Sequence, residues 1–189
     1  MINRFFFIFL VISTQISCYE NNLPKPKGFL NLEYPIPEYI EKSNSCGFTF
    51  EINKSALIEN QSKECWNKII YPNMKATIYL SYFKVKNNIN SLIEDAYQMP
   101  MKHVNRAIEI PEKAYYDKKN KTFGSLFRVE GNAASQLQFF LTDSISNFLV
   151  GSLYFYSKPN YDSLMPAARY IENDILHLME TLNWKKLSN

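Results

Sequence analysis

The sequence predicts an α+β fold, in which two helices cover an antiparallel β-sheet. Short segments with alternating apolar residues fall into two groups, and a segment with helical periodicity follows each group. The strands do not alternate one by one with helices, as they would in a parallel sheet. Each element of this predicted order, β-β-β-α-β-β-β-α, is justified below.

The composition is that of a folded domain. The 189 residues are 46% hydrophobic and 15% aromatic, with only 5 Gly and 9 Pro. Disordered chains are poor in aromatic residues, and collagen needs glycine at every third position, so neither class fits. The formal net charge of +3 is too small to indicate nucleic acid binding.

Residues 1–17 are predicted to be a lipoprotein signal peptide that ends before Cys18. Arg4 precedes an apolar run over residues 5–12, and a more polar segment leads to the cysteine. A helix of that length spans about 12 Å, which is too short to cross a bilayer, so a signal is favoured. The residues around Cys18 resemble the bacterial lipobox, which predicts lipidation of Cys18. The alternative is an ordinary signal with an incidental cysteine.

Residues 18–39 are predicted to be a lipidated N-terminus and a Pro-rich tether, and residues 40–189 a single domain. The tether contains Pro24, Pro26, Pro35 and Pro37. Residues that precede proline favour extended backbone, so this segment would separate the lipid from the domain.

The first group of predicted strands lies between residues 47 and 85. Phe48, Phe50 and Ile52 alternate on one face of the first segment, and residues 65–71 form the second. Residues 76–85 form the clearest strand, because apolar residues alternate along most of its length.

Cys46 and Cys65 are predicted to form a disulfide bond. Export would place them in an oxidising compartment, where a pair of cysteines is normally bridged. Closing a loop of about 20 residues stabilises a domain by roughly 3 kcal/mol. Two buried free thiols are the alternative, and a zinc site is disfavoured because no histidine is close to either cysteine in the sequence.

Ser91 is predicted to open the first helix. Its hydroxyl can cap the first turn, with Glu94 as the capping-box partner. Pro100 is expected either to end this helix at Met99 or to kink it.

Three strands and a second helix are predicted to complete the domain. Apolar residues alternate over residues 123–129, 137–141 and 149–155, with turn residues between them, which predicts an antiparallel meander. Asp162 is predicted to cap the last helix, with Pro166 in its first turn. The core stripe of this helix is predicted to contain Ile171, Ile175, Leu178 and Leu182. The order of elements is similar to that of PsbP/Mog1-like domains.

The sequence contains no known catalytic motif, so it predicts a protein that is not an enzyme and that needs no cofactor or metal. His103 and His177 are expected at the surface. Glu172 and Asp174 are two residues apart on a helix and cannot face each other as a catalytic pair. The lysines between residues 118 and 121 are expected in a solvated turn, and a phosphate site is the alternative.

Tyr154 and Tyr156 form the candidate partner surface. Phe155 between them is expected to point into the core, so the two tyrosines would share the opposite face of a strand. If exposed, they would suit a protein partner. The alternative is burial of both tyrosines under a helix.

The chain beyond the signal resembles the GldD-type gliding-motility lipoproteins of Bacteroidota. The matching blocks are residues 23–34, 75–82, 131–144, 151–164 and 170–184. The resemblance implies a membrane-anchored periplasmic lipoprotein required for gliding motility and the linked type IX secretion machinery. Its implied partners are other proteins of that machinery, and the membrane through the lipid anchor. The resemblance implies no catalytic residues.

Several details of location and function depend on this resemblance. Gln15 and Pro100 depart from the lipobox and family patterns. Surface-exported lipoproteins of the phylum carry an acidic cluster after the cysteine, whereas Glu20 is the single acid here. An anchor in the inner or outer membrane that faces the periplasm is therefore expected. The alternative function is a periplasmic domain that binds a small ligand, or an enzyme of unknown substrate.

Ser144 and Ser163 are candidate O-glycosylation sites. Each follows an aspartate and precedes an apolar residue, a pattern similar to the O-glycosylation sequence of Bacteroidota. A hairpin tip and a helix start are both expected at the surface. The alternative is that Asp143 only shapes a turn and Asp162 only caps a helix.

Overall fold

The computed structural model describes residues 33–60 and 65–184. Their strands and helices form an α+β fold, so the predicted fold class is confirmed. In chain order these elements are β1 (Tyr39–Ser43), β2 (Phe48–Asn53), β3 (Leu57–Asn60), β4 (Asn67–Tyr71), β5 (Ala76–Lys84), α1 (Ile89–Met101), β6 (Ala107–Glu109), β7 (Glu112–Asp117), β8 (Thr122–Arg128), β9 (Glu130–Gly131), β10 (Leu137–Thr142), β11 (Asn147–Phe155), α2 (Tyr161–Thr181) and β12 (Asn183–Trp184). The predicted signal peptide and Cys18 lie outside the described residues.

The main sheet has seven strands in the order β3-β4-β5-β11-β10-β8-β7. All neighbouring strands in it are antiparallel. β11 is the central strand, and its nine residues all pair with β5. The predicted meander is confirmed, because β8, β10 and β11 are successive neighbours.

The main sheet has a hydrophobic core on each face. On one face, β2 and α2 enclose the larger core, in which Phe48, Phe139 and Ile175 are almost fully buried. Gly151 lies against the ring of Phe139, where an added Cβ would have no room. On the opposite face, α1 packs on a smaller cluster that contains Ala96, Phe127, Phe140 and Phe148. The two helices therefore lie on opposite faces of the sheet.

A small sheet in the order β1-β2-β12 lies beside the main one. Tyr39, which ends the predicted tether, is the first residue of β1 and pairs with Asn53. Trp184 pairs with Phe48 at the other side of β2. The two ends of the described chain therefore meet on the same strand.

The first helix begins three residues earlier than predicted, and the predicted capping box is wrong. α1 starts at Ile89 after Asn88, so Ser91 lies inside the first turn. The side chain of Asn88 accepts a hydrogen bond from the amide of Lys86 (2.7 Å), which shapes the turn before the helix. Pro100 does not end the helix at Met99, because α1 continues to Met101 with the proline buried.

The start of the second helix also differs from the prediction. Asn160 is the N-cap residue and Asp162 lies in the first turn, so Asp162 is not the cap. The first amide of the helix, that of Tyr161, donates to the side-chain oxygen of Asn132 (2.9 Å), which comes from a distant loop. The predicted core stripe is confirmed, since all four of its residues are buried: Ile171, Ile175, Leu178 and Leu182.

The segment around residues 109–117 was not assigned to any predicted strand or helix. Residues 112–117 form β7, an edge strand of the main sheet. Charged residues are common on edge strands, where they disfavour pairing with other chains. The lysines between 118 and 121 lie in the turn that follows, as predicted, and Asp117 accepts the amide of Lys119 there (2.8 Å).

Candidate functional site

Five aromatic side chains remain accessible on the α1 face of the main sheet, beyond the part that α1 covers. Tyr154 is 37% exposed and Tyr156 is 61% exposed, so neither is buried under a helix. We use the name aromatic half-face for the set Trp66, Tyr79, Phe83, Tyr154 and Tyr156. The antiparallel register explains their grouping, because Tyr79, Phe83 and Tyr154 point to the same side of two paired strands.

The tyrosines of the aromatic half-face hold one another in place. The hydroxyl oxygens of Tyr79 and Tyr156 are 3.0 Å apart, and Thr77 donates a hydrogen bond to Tyr156 (3.3 Å). The rings of Tyr79 and Tyr154 make an edge contact at 5.7 Å. The hydrogen bond to Tyr156, together with burial, raises the pKa of Tyr79 to about 12. Tyr79 is therefore neutral at physiological pH and can donate or accept a hydrogen bond.

The other end of the aromatic half-face is more apolar. Trp66 and Phe83 make an edge contact at 6.3 Å and are about one-third exposed. The ammonium of Lys68 lies 5.7 Å from the ring centre of Tyr79 and adds a positive charge. Rings with polar tips are typical of the centres of protein interfaces, so this surface can bind a protein.

A buried carboxylate joins the N-terminal part of the domain to α2. Asp174 is only 4% exposed and accepts hydrogen bonds from the hydroxyls of Tyr39 (2.8 Å) and Tyr71 (3.0 Å). The side-chain amide of Asn53 donates a third (3.0 Å). Burial raises the pKa of Asp174 despite these donors. Burial and the carboxylate also raise the pKa of both phenols, so the network is structural in character.

Residues 34–39 pack directly against the domain. The ring of Tyr34 stacks on that of Tyr170 at 4.9 Å. The hydroxyl of Tyr170 donates to the carbonyl of Pro35 (3.0 Å) and accepts from Asn53 (2.9 Å). The segment that leads toward the predicted lipid anchor is thus attached to α2 at several points.

His177 is not the free surface residue that was predicted. Its Nε2 atom lies 2.7 Å from a carboxylate oxygen of Glu51, and its ring stacks on Tyr39 at 3.6 Å. The position lies off the core stripe, but β1 and β2 cover that side of α2. His103 is half-buried, and burial together with Lys102 lowers its pKa.

Glu172 and Asp174 have different partners in the structure. Glu172 forms a bidentate ion pair with Arg128, at 2.5 and 3.1 Å, whereas Asp174 has the separate partners described above. Among residues 33–60 and 65–184, no group of three or more His, Cys, Asp or Glu side chains is arranged to hold a metal.

Cys46 and Cys65 form a disulfide bond, with their Cα atoms 5.9 Å apart. Cys46 lies in the turn before β2, and Cys65 lies just before β4. The bond therefore connects the small sheet to the main sheet.

The two candidate glycosylation sites are both exposed. Ser144 lies at the tip of the β10–β11 hairpin, where Asp143 accepts hydrogen bonds from the amides of residues 145, 146 and 147. Burial opposes the effect, but these donors lower the pKa of Asp143. Ser163 lies in the first turn of α2. Asp143 thus shapes the turn, and modification of either serine stays a prediction.

Comparison with known families identifies the chain. A family model described as gliding motility lipoprotein GldD matches residues 19–184. The chain belongs to this family. The resemblance predicted from the sequence is therefore confirmed, and membership gives the protein a role in gliding motility and a lipid anchor in a membrane. No curated protein is similar enough to count as a match. Within the described residues, no helix has the length and apolar character needed to span a membrane.

Sequence reasoning missed part of the aromatic half-face and all of the Asp174 network. Tyr79 lies on β5, the strand that was predicted most clearly, and its side chain is on the face opposite the buried one. The pairing of β5 with β11 was needed to show which residues are next to Tyr79. Asp174 had a usable signal. It lies three residues after Ile171 and four before Leu178, which places a carboxylate on the core stripe of the helix.

Proposed function

We propose that this family member is a non-enzymatic, membrane-anchored component of the gliding motility apparatus and of the linked type IX secretion machinery. It acts as a structural or assembly component through contacts with other proteins of that machinery. The aromatic half-face carries this proposal, because it combines exposed rings with hydrogen-bonding hydroxyls on adjacent strands. Tyrosine and tryptophan are the residues that most often dominate the energy of protein interfaces.

Tyr154 and Tyr156 are the residues on which this proposal is best tested. Truncating a dominant interface residue weakens binding by about 2 kcal/mol or more, which is roughly thirty-fold. A strain that carries Tyr154→Ala together with Tyr156→Ala is expected to lose gliding and secretion of type IX cargo, while the amount of protein in the membrane is unchanged. Cells with a photo-crosslinking amino acid at Tyr154 are expected to yield an adduct with a machinery protein.

Tyr116→Ala is the matched control for this experiment. Tyr116 is 62% exposed and lies on the edge strand β7 of the same sheet, outside the aromatic half-face, so its replacement is expected to leave gliding and the adduct unchanged. Normal gliding of the double variant at normal protein levels would contradict the proposed role of the surface.

We also propose that the anchor is a lipid on Cys18 and that the domain faces the periplasm. Cys18→Ser is expected to give a protein that is either unprocessed or released from the membrane, since no acyl chains can then be attached. Electrophoresis of membrane and soluble fractions measures this, and Ser17→Ala, which keeps a small residue before the cysteine, is the control. Protease added to intact cells is expected to spare the wild-type protein. A processed, membrane-bound Cys18→Ser protein would be the opposite result.

A further inference from the structure

A cavity of about 400 Å³ lies between residues 33–35, the start of α2 and the turn that joins β4 to β5. It is separate from the aromatic half-face, none of whose residues lines it. Its apolar wall is formed by Tyr34, Tyr71, Met74, Phe155, Leu164 and Ala167. A concave, mainly apolar cavity with few polar groups is typical of a small-molecule site.

The hydroxyl of Tyr34 is the polar group in this wall that lacks a partner. Its oxygen is buried and has no hydrogen-bond partner among the described residues. The hydroxyls of two nearby tyrosines do have partners, because that of Tyr71 donates to Asp174 and that of Tyr170 donates to Pro35. A buried hydroxyl without a hydrogen-bond partner costs free energy, so a ligand acceptor in the cavity would remove that cost.

The position of Tyr34 is fixed, as a binding residue requires. Its ring stacks on that of Tyr170. The carbonyl of Pro35, the next residue, accepts a hydrogen bond from the hydroxyl of Tyr170. Burial raises the pKa of Tyr34, so the phenol keeps its proton and can donate it to an acceptor.

Size and charge define the class of ligand. At roughly 30 Å³ for each water molecule, the cavity has room for about thirteen waters, and hence for about a dozen non-hydrogen atoms. Glu33 and Lys75 also line the cavity and are exposed, so one charge of each sign stands at its edge. This arrangement favours neither an anion nor a cation, and a neutral ligand fits it best.

We propose that the cavity binds a neutral amphiphile with a medium-length hydrocarbon body, and that its carbonyl oxygen accepts a hydrogen bond from Tyr34. The apolar wall encloses the hydrocarbon, and the buried hydroxyl of Tyr34 matches a single acceptor on the ligand. A ligand in this place contacts both the N-terminal segment and α2, so its binding fastens that segment more firmly to the domain. The inference is independent of the partner surface proposed above.

Photolabelling of the full lipidated protein in isolated membranes tests this site. The probe is a methyl decanoate analogue with a diazirine in its chain, and mass spectrometry locates the labelled residues. Labelling is expected on cavity residues such as Met74 and Leu164, and an excess of plain methyl decanoate is expected to suppress it. Label that is spread evenly over the domain, or is not suppressed, would overturn the proposal.

Two variants and a control make the test specific. Leu164→Trp fills the cavity and is expected to reduce labelling at least ten-fold. Tyr34→Phe keeps the ring and its stacking, and is expected to weaken labelling about three- to ten-fold through loss of one hydrogen bond. This second variant keeps the test valid if Leu164→Trp does not fold. Tyr116→Phe removes an exposed hydroxyl from the edge strand β7, away from the cavity, and is expected to leave the labelling unchanged. Equal labelling of Tyr34→Phe and the wild type would refute the role of the hydroxyl.

Discussion

Replacing Asp174 by alanine is expected to lower the free energy of unfolding by about 3–5 kcal/mol. The substitution leaves the hydroxyls of Tyr39 and Tyr71 and the amide of Asn53 buried without their common acceptor. It also removes one of the contacts that hold the N-terminal segment to α2, because Tyr39 is the first residue of β1. Urea unfolding of the purified protein, followed by tryptophan fluorescence, measures the effect.

Asn173→Ala is the matched control, because Asn173 is the exposed neighbour of Asp174 on the same helix. Its replacement is expected to change the unfolding free energy by less than about 0.5 kcal/mol. A loss below about 1 kcal/mol in Asp174→Ala would show that the three hydrogen bonds contribute little to stability.

The pH dependence gives the same prediction a second readout. Burial raises the pKa of Asp174 in the folded protein, above the value of about 3.9 expected in the unfolded chain. The proton-linked part of the stability that this group contributes is therefore complete below about pH 4, and this part is lost as the pH rises through the folded-state pKa. The advantage of the wild type over Asp174→Asn, which cannot titrate, should shrink over that pH range. A constant difference would be incompatible with the raised pKa.

Removing the disulfide bond is expected to lower the unfolding free energy by about 3 kcal/mol. The bond joins residues 19 apart in the sequence and connects the small sheet to the main one, so its loss frees the turn before β2. The double substitution Cys46→Ala and Cys65→Ala, studied by the same urea titration, measures this loss.

A reducing agent provides the control for the disulfide prediction. It is expected to destabilise the wild type by a similar amount and to leave the double variant unchanged. Identical unfolding curves for the wild type with and without reductant would contradict the prediction.

Structural features that depend only on residues close together in the sequence were predicted well. The alternation along residues 76–82 and the stripe of α2 identify buried faces, because periodicity reports directly which side of an element is apolar. The boundaries were less accurate. Asn160 is the residue that precedes α2. The first amide of α2, that of Tyr161, donates to Asn132, which is far away in the sequence. A local capping pattern contains no information about such a partner.

The candidate site shows the same limit. Strand alternation correctly separated Tyr154 and Tyr156 from Phe155, which packs against the larger core. Tyr79 joins the two tyrosines only because β5 pairs with β11, more than sixty residues later in the chain. β7 was missed because charged residues stand at both of its ends, as is common on an edge strand. Pairing between distant strands depends on the whole fold, so a pattern within one segment does not predict it.

The location of the aromatic half-face on the middle strands has a consequence for the thermodynamics of association. β5 and β11 lie inside the sheet, and strands in such a position open only when much of the domain unfolds. Tyr79 and Tyr156 are further restrained by the hydrogen bond between them. A partner that docks there meets rings already held in place, so little conformational entropy is lost on binding. Differences in affinity between variants of this surface should then arise mainly in the rate of dissociation.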